Sequence, residues 1–298
     1  MANQPFPPLS RRMLLIGLVA ALASPRSRAW SASGHRITGE IATALLTPAA
    51  RGQLRPLIGS DELSLVANYM DEERAALALT YPGSPSWHYD DRPACAGDSA
   101  YAQYCPAGNC ATAQVRKWSS VLADADADPA QRAFAVRLLV HVVSDLHQPL
   151  HAANNADQGG NKVLVLLPGA TQPQKLHKVW DVDFVDFATR GSSEPAYAAR
   201  LLAQYAGEIP TWQRGSVTDW AAETYALALQ VAYHPLPGFS CNWSVSKPIV
   251  LPESYVAGAV AIIPQQLARA GARIAFELNS ALDGSRAVNR SPSPAGGE

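Results

Sequence analysis

The most restrictive feature of the chain is an apolar segment, Pro129–Leu146, that carries two polar residues on one face. Its alanine, valine and leucine residues recur at three- and four-residue spacing, which predicts a helix, and Pro149 fits a stop just beyond its end. His141 and Asp145 are four residues apart, so they lie about 40° apart on that helix. An unpaired carboxylate in such surroundings is costly. The fold must therefore pair Asp145 with His141 in the core or with a metal ion.

The rest of the chain also favours helices. It has 298 residues, of which 48% are hydrophobic and 16% charged, which is ample for one large core or two smaller ones and excludes general disorder. We predict a mainly α-helical (all-α) single domain with at most a short β-hairpin, built from the strand Lys162–Leu167. The other predicted helices are Thr38–Leu46, Leu65–Leu79, Ala111–Leu122, Leu176–Phe187, Glu194–Ala206, Val217–Tyr233 and Ser254–Leu282, the last kinked at Pro264.

The formal net charge of −1 excludes proteins that bind nucleic acid through massed phosphate contacts, but not an enzyme that acts on nucleic acid. The N-terminus predicts a secretory signal peptide: Arg11 and Arg12, the apolar run Met13–Ala23, and Ser27-Arg28-Ala29 before Trp30. That run is too short to span a bilayer. We predict removal of residues 1–29 and export to the periplasm or the extracellular space, by a Sec or twin-arginine route.

The predicted domain covers residues 30–282, and the polar tail 283–298 is predicted to be disordered. Export makes disulfides plausible for the four cysteines. The short loop between Cys105 and Cys110 favours a local bridge and leaves Cys95 to pair with Cys241. A zinc site formed by cysteines is disfavoured because no Cys-x-x-Cys spacing is present.

A second His/Asp pair repeats the first spacing: His177 and Asp181 are four residues apart in another predicted helix. Imidazole nitrogen and carboxylate oxygen are standard zinc ligands, and two consecutive helical turns can hold one ion. A single pair of this kind is more often a surface ion pair, but two in one chain favour a metal centre. His151 follows Pro149, so the turn can direct it back toward the same place.

Four other positions carry candidate ligands. His88 lies in a polar loop that gives no packing reason for a histidine, whereas Asp71 begins an acidic run that alone is typical of a solvated helix face. Cleavage before Trp30 exposes an α-amino group whose unperturbed pKa is about 8, so it can lose its proton and, with the Trp30 carbonyl, chelate an ion. His35 is close enough in sequence to complete that site.

Together these residues resemble the zinc-dependent single-strand-specific nucleases, the S1/P1 nuclease family within the phospholipase C/P1 nuclease superfamily. The resemblance extends from Trp30 to about Leu282 and rests on the order and spacing of the candidate ligands. The matching motifs are Trp30-x-x-x-x-His35, Asp71-x-x-Arg74, Trp87-His88-Tyr89, His141-x-x-x-Asp145-x-x-Gln148-Pro149-Leu150-His151, Gly159-Gly160-Asn161-Lys162 and His177-x-x-x-Asp181.

The resemblance implies a helical fold with three zinc ions at the bottom of a cleft. The first ion is expected at Asp71, His88, His141 and Asp145. The second is expected at Trp30, His35 and Asp145, so that Asp145 bridges the pair. The third is expected at His151, His177 and Asp181. Two disulfides, in the arrangement favoured above, also agree with the family, whereas His147 and His234 match no ligand position.

The implied activity is hydrolysis of single-stranded DNA and RNA to 5′-phosphorylated products, with 3′-nucleotidase activity, by a zinc-activated hydroxide. Asp71, Arg74 and Asp145 are the expected catalytic residues, and Arg74 is expected to stabilise phosphoryl oxygens in the transition state. Substrate contacts are expected from Tyr89, Asp91, Asn161 and Lys162. Tyr89 is expected to stack on a base; the alternative is that its ring only packs against the protein. We predict a monomer without a stable protein partner or a membrane span.

Two other functions stay open on the sequence alone. A zinc-dependent phospholipase C shares the trinuclear site, but there the last pair is usually His-x-x-x-Glu and the gap after the N-terminal Trp is longer. A secreted zinc-binding protein without catalysis is the second alternative, and Arg74 and Tyr89 beside the ligands argue against it.

Overall fold

The computed structural model describes residues 30–95 and 104–283. The predicted signal peptide, residues 1–29, lies outside the described residues, as does the predicted tail from residue 284 onward. The mainly α-helical class is confirmed.

The central helix is the one that the sequence predicts most firmly. Helix α6 spans Pro129–Asp145, and Asp128 caps it by accepting hydrogen bonds from the backbone amides of Ala130 (2.7 Å) and Gln131 (3.2 Å). Every residue from Leu138 to Asp145 is buried, because neighbouring helices pack around this half of α6. His141 and Asp145 therefore lie in the interior, as a polar pair that must be satisfied there.

The remaining helices surround α6. They are α1 (Ala32–Ala44), α2 (Pro48–Ile58), α3 (Tyr69–Glu72), α4 (Arg74–Thr80), α5 (Ala111–Ala123), α7 (Pro149–Ala152), α8 (Leu176–Lys178), α9 (Phe184–Thr189), α10 (Glu194–Gln204), α11 (Ile209–Trp212), α12 (Val217–Leu227) and α13 (Glu253–Leu282). Short 3₁₀ turns cover Leu63–Val66, Ser84–Ser86 and Pro106–Gly108, and π-helical turns cover Val179–Asp183 and Ala228–Tyr233.

The β-structure is slightly larger than the predicted hairpin. The strands are β1 (Arg92–Pro93), β2 (Ala153–Asn154), β3 (Leu164–Leu166), β4 (Gln174–Lys175) and β5 (Ile249–Val250). Strand β3 pairs with β4 in an antiparallel hairpin and with β5 in parallel, while β1 and β2 form a separate parallel pair. The small β1–β2 pair joins the segment after His88 to the segment after His151.

The interior contains two apolar clusters, and the 30-residue helix α13 contributes to both. One cluster surrounds α6, α5 and α2; the other surrounds α10, the turn after α8 and the β-hairpin. Helix α1 lies against α13 at Gly271, where an added Cβ would be only 2.5 Å from the Ile41 side chain, so glycine permits the close packing. His141 and Asp145 stand between residues of the first cluster in sequence, and His177 and Asp181 stand beside residues of the second.

Three predicted helices are wrong in detail. The segment Leu65–Leu79 is not one helix: it divides at Asn68 and Glu73, where the backbone leaves helical geometry (ψ of 0° and 10°). Its apolar spacing is misleading because Leu65 and Leu79 are exposed (68% and 86%) instead of packing on a core.

The segment Leu176–Phe187 is likewise interrupted by a π-helical turn, and the predicted helix Val217–Tyr233 becomes π-helical from Ala228 onward. Helix α2 has no counterpart among the predicted helices. Both predicted disulfides are present in the structure. Cys105 pairs with Cys110, and Cys95 pairs with Cys241 across 146 residues of sequence. The second bridge ties the loop that follows β1 to the segment before β5.

Candidate metal centre

Asp145, at the end of α6, has imidazole rings on both sides of its carboxylate. Its Oδ2 atom lies 2.9 Å from His88 Nδ1 and 3.3 Å from His141 Nε2, and its Oδ1 atom lies 3.3 Å from His35 Nε2. All four side chains are at most 3% exposed. One carboxylate therefore faces two separate sets of donors, which is the geometry that a bridging ligand requires.

We call Asp145 and the residues around it on both sides the deep group: His35, Asp71, His88, His141 and Asp145. Helix α1 supplies His35, whose ring stacks on that of His141 with centroids 3.9 Å apart, and α3 supplies Asp71. Potential ligand atoms lie within 4.8 Å of one another both in His35, Asp71 and His141 and in His88, His141 and Asp145. Because both triplets contain His141, the five residues of the deep group form a single cluster.

The second set, which we call the outer group, consists of His151 in α7, His177 in α8 and Asp181 in the π-helical turn that follows. Their potential ligand atoms also lie within 4.8 Å of one another. His177 Nε2 is 3.4 Å from one oxygen of Asp181, and His151 Nε2 is 3.8 Å from the other. The π-helical turn thus keeps the predicted pair together although the α-helix is interrupted.

Backbone carbonyl groups orient the two imidazoles of the outer group. His151 Nδ1 donates to the carbonyl of His88 (2.8 Å), and His177 Nδ1 donates to the carbonyl of Gly159 (2.6 Å). With both protons on Nδ1, the Nε2 lone pairs face each other at 3.1 Å. Two facing lone pairs repel, and a cation between them removes the repulsion, so this geometry fits a metal ion.

Two residues outside the groups hold the outer group in place. Gln148 accepts from the amide of Leu150 (2.6 Å) and donates to Asp181 Oδ1 (2.6 Å). Gly159 has a φ of +59°, and an added Cβ would lie 2.4 Å from the Leu150 carbonyl, so only glycine brings its own carbonyl to His177. The glycine pair of the predicted motif therefore has a role in orienting a ligand.

In the deep group, the pKa of the Asp145 carboxyl is lowered and the pKa of the His141 imidazole is raised. Burial raises the pKa of Asp145, but the His141 charge and hydrogen bonds from His141 and His88 outweigh it, and the pKa lies well below its usual range. Burial lowers the pKa of His141, but Asp145 dominates and raises it to about 9. Burial, reinforced by His141, lowers the pKa of His35 well below its usual value.

The histidines of the outer group are neutral. Burial lowers the pKa of His151, and burial together with the neighbouring His151 lowers the pKa of His177 to about 3. Neutral imidazole is the form that binds a metal ion. The outer group therefore presents free lone pairs across the physiological pH range.

The donor atoms fit zinc. Both ring nitrogens of His35 and Oδ1 of Asp145 are buried and have no hydrogen-bond partner within the described residues. Such orphaned polar atoms are costly unless an ion satisfies them. Imidazole nitrogen with carboxylate oxygen is a donor set that suits zinc.

A cleft of about 370 Å³ opens above both groups. Of the predicted substrate contacts, Tyr89, Asp91 and Asn161 line it, together with Arg74. Lys162 does not: its Nζ atom lies 3.3 Å from the Ala156 carbonyl. Burial, with smaller contributions from Asp157 and Asp90, raises the pKa of Asp91 to about 6. The full lining is Arg74, His88, Tyr89, Asp91, Leu150, His151, Gln158, Gly159, Asn161, Lys175 and His177.

Three residues beside the site, Gln148, Gln158 and Lys175, are not among those predicted to be functional from the sequence. The signal for Gln148 is its place inside the longest motif, between two ligands, and the signal for Lys175 is its position two residues before His177. His147 and His234 lie outside both groups, as predicted from the motifs. His147 is buried and accepts from Arg273 (3.0 Å), and His234 contacts the Phe239 ring.

Trp30 occupies a fixed position beside both groups. Its side chain is fully buried, and its indole NH donates to the carbonyl of Ser144 (2.9 Å), one residue before Asp145. The next amide, of Ser31, donates to the carbonyl of Asp181 (2.7 Å). The chain at Trp30 therefore links the end of α6 to the outer group.

These features define a helical protein with an open cleft above buried His/Asp groups that could hold metal ions. The sequence profile described as S1/P1 Nuclease matches residues 30–283. The chain belongs to the S1/P1 nuclease family, whose members are zinc-dependent phosphodiester hydrolases. Membership in this family supports a nuclease over the two alternatives that the sequence left open, a phospholipase C and a non-catalytic zinc-binding protein.

Individual relatives cover most of the chain at low identity. Endonuclease 3 of Arabidopsis thaliana is 25% identical over 288 residues, which is 88% of this chain and 92% of the relative. Nuclease P1 of Penicillium citrinum is 26% identical over 272 residues, 84% of this chain and 97% of the relative. Nuclease S1 of Aspergillus oryzae is 25% identical over 191 residues, 61% and 63% of the two chains. Among the described residues, none of the helices is both long and apolar enough to cross a membrane.

Proposed function

We propose that this protein is an exported, zinc-dependent endonuclease that hydrolyses single-stranded DNA and RNA to 5′-phosphorylated products and also dephosphorylates 3′-nucleotides. The observation that carries the proposal is that the deep and outer groups meet under one cleft. His88 and His151 both line that cleft and are joined by the hydrogen bond from His151 to the His88 carbonyl. A phosphodiester entering the cleft reaches both groups at once.

The chain is proposed to hold three zinc ions, with the ligand sets that the family resemblance implies. The first ion is held by Asp71, His88, His141 and Asp145; the second by the amino group and carbonyl of Trp30, by His35 and by Asp145; the third by His151, His177 and Asp181. The two-sided carboxylate of Asp145 supports the bridging role. The orphaned nitrogens of His35 support a ligand role there.

Zinc, when bound, makes hydroxide available near neutral pH by acidifying water. The chain itself positions the phosphodiester. Arg74 lines the cleft and is held by Asp71 (3.4 Å) and by the carbonyl of Pro85 (3.2 Å), so its guanidinium is fixed where it can bind phosphoryl oxygens. Asp71 thus orients Arg74 as well as serving as a ligand. The bond between phosphorus and the 3′ oxygen breaks. One product therefore ends in a 3′-hydroxyl, and the phosphate remains on the 5′ oxygen of the following nucleoside.

The preference for single strands follows from the depth of the site. A phosphate reaches the bottom of the cleft only if the neighbouring base can leave its stack. Tyr89 lines the cleft, and its carbonyl accepts from the amide of Ala111 (3.1 Å), which fixes the backbone that presents the ring. Tyr89 is proposed to stack that base, with Asp91 and Asn161 as hydrogen-bonding partners. Stacking contributes roughly 1–3 kcal/mol per base for any base.

Maturation completes the site in this proposal. Cleavage before Trp30 frees the amino group of the second ion, and the mature nuclease domain spans residues 30–282. Two disulfides agree with an oxidising compartment, periplasmic or extracellular. The protein acts as a monomer.

The decisive experiment uses mature protein whose first residue is verified as Trp30. We expect about three zinc ions per chain by elemental analysis, cleavage of single-stranded DNA and RNA well ahead of duplex, and products that carry 5′-phosphate. A chelator should abolish cleavage and added zinc should restore it. Chelator-resistant cleavage, or fragments that end in 3′-phosphate, would refute the proposal.

A further inference from the structure

The cleft has two cationic side chains, Arg74 and Lys175, and they differ in how they are held. Arg74 is attached to Asp71, beside the deep group. Lys175 stands beside the outer group, in β4, two residues before His177. Its backbone is fixed because Lys175 pairs with Leu164 of β3 and the next amide, of Leu176, donates to the Val163 carbonyl (2.8 Å).

The ammonium group of Lys175 is available to a ligand. Across residues 30–95 and 104–283, no carboxylate forms an ion pair with it. Lys178, three residues further along the chain, differs: its Nζ atom lies 3.5 Å from Asp183 and also donates to Gln174, and Lys178 does not line the cleft. The Lys175 charge is also among the causes that lower the pKa of His177, which agrees with its position beside the outer group.

The position of Lys175 matches a particular part of the substrate. In the proposed reaction the two ions that share Asp145 would supply the hydroxide, so an in-line displacement places the leaving 3′ oxygen on the opposite side of the phosphorus, toward the outer group. The nucleoside that carries this oxygen has a second phosphate on its 5′ oxygen whenever it belongs to a longer strand. A free ammonium on the same side of the cleft is suited to that second phosphate, as a point charge that accepts any base sequence.

We infer that Lys175 is a specificity-determining residue that binds the phosphate on the 5′ side of the leaving nucleoside and thereby favours polynucleotides over mononucleotides and unphosphorylated dinucleotides. This inference rests on the proposed function. It concerns substrate length and not the chemical step, because Lys175 lies in the lining of the cleft and is not one of the proposed zinc ligands. Removal of the side chain should therefore raise KM for long substrates and leave kcat unchanged.

The test compares the dinucleotide TpT with its 5′-phosphorylated form pTpT. Wild-type protein should cleave pTpT with a kcat/KM roughly twofold to fivefold higher, the size expected of one exposed phosphate contact. In Lys175→Ala this preference should vanish while kcat/KM for TpT is unchanged, and Lys175→Arg should restore it. Lys178→Ala, the matched control, should keep the wild-type preference and the wild-type zinc content.

A second readout uses salt. With single-stranded oligonucleotides, loss of one phosphate contact should reduce the slope of log kcat/KM against log salt concentration by about 0.7 in Lys175→Ala and not in Lys178→Ala. If wild-type protein cleaves single strands but Lys175→Ala retains both the pTpT preference and the slope, the inference fails while the proposed function stands. If wild-type protein cleaves neither TpT nor single-stranded DNA, both fail.

Discussion

The deep and outer groups use the same residue types but are built by different means. In the deep group, His141 and Asp145 stand on consecutive turns of one continuous α-helix with no exposure to solvent. In the outer group, His177 and Asp181 are divided between a three-residue helix and a π-helical turn, and backbone carbonyls from loops orient the histidines. A regular helix places the first pair, whereas irregular backbone places the second.

The two groups also differ in the protons they hold before a metal ion binds. His141 is paired with Asp145 and its pKa is raised to about 9, so an ion binding there near neutral pH displaces a proton. His177, with a pKa lowered to about 3, offers a free lone pair. Without a metal ion, the deep group keeps the ion pair between His141 and Asp145 but leaves both ring nitrogens of His35 without a hydrogen-bond partner among the described residues, and the outer group has two opposed lone pairs. Both groups therefore gain from an ion.

The largest expected effect comes from breaking the deep group. Asp145→Asn removes the carboxylate that faces His35 on one side and His88 and His141 on the other, so two zinc ions should be lost together. Loss of about 4 kcal/mol of transition-state stabilisation corresponds to a fall in kcat/KM on the order of a thousandfold. Elemental analysis and cleavage of single-stranded DNA measure both. An active variant with full zinc content would show that Asp145 does not bridge.

The matched control for this variant is Asp183→Asn. Asp183 is a carboxylate in the same π-helical turn as Asp181, but it pairs with Lys178 near the surface. The Asp183→Asn variant should retain its zinc and its activity. Circular dichroism of both variants separates loss of metal from loss of fold.

The next largest effect tests whether the chain terminus belongs to the deep group. One extra residue before Trp30 converts the proposed amino ligand into an amide, which does not bind zinc at neutral pH. We expect one zinc ion fewer and an activity lower by about 10- to 100-fold. The buried indole and its bond to Ser144 should keep Trp30 itself in place.

The control uses one precursor with alternative protease sites, one that leaves Trp30 first and one that leaves Gly before it. Activity that is the same for both products would remove Trp30 from the ligand set. Activity that appears only when Trp30 is the first residue would establish maturation as the step that completes the site.

A smaller effect distinguishes the outer group from the deep group. Gln148→Met removes the hydrogen bond to Asp181 Oδ1, together with the one accepted from the Leu150 amide, while retaining a side chain of similar length. Affinity for the third zinc should fall about 10- to 100-fold, the usual cost of losing a hydrogen bond to a metal ligand, and the two deep ions should stay bound. Zinc titration by calorimetry resolves the weakened site.

Gln266→Met is the control, because Gln266 is also a buried glutamine and donates to the carbonyl of His147 without touching a ligand. It should bind all its zinc with wild-type affinity. Equal weakening of every site in Gln148→Met would mean that the two groups do not form separate units.

The contrast between the groups also explains what the sequence could predict. A helix has a fixed period, so the spacing of His141 and Asp145 is enough to place them on a common face. The third residue of the outer group, His151, and the loop carbonyl of Gly159 have no such period. The loop that carries this carbonyl has left-handed backbone at Ala156, Gln158, Gly159 and Gly160, which hydrophobic spacing does not encode.

The same limit applies to Asp71 and Lys175. Apolar periodicity predicts that Asp71 belongs to one long helix, but the helix breaks at Glu73, and Asp71 reaches the deep group from the short helix α3. Lys175 lies in the cleft because β4 pairs with β3; the sequence predicts β3 as one strand of a hairpin but gives neither the partner strand nor its register. Helical spacing predicts two His/Asp pairs, whereas the grouping of all the candidate ligands into three sites came from the family resemblance.

The smallest effect concerns the cleft wall, which lies beyond both groups. Burial first, and then Asp157 and Asp90, raise the pKa of Asp91 to about 6, so this carboxyl gains its proton as the pH falls through 6. If ionised Asp91 accepts hydrogen bonds from a base, nucleoside affinity should fall about threefold to tenfold between pH 7 and pH 5, because one charge-assisted hydrogen bond is lost. Uncharged nucleosides without phosphate are the correct probes, since their own ionisation does not interfere.

Asp91→Asn is the control, and it should bind these nucleosides with the same affinity at both pH values. Zinc content measured at each pH excludes loss of metal as the cause. A wild-type affinity that is flat across this range would leave Asp91 as a packing residue of the wall and base binding to Tyr89 alone.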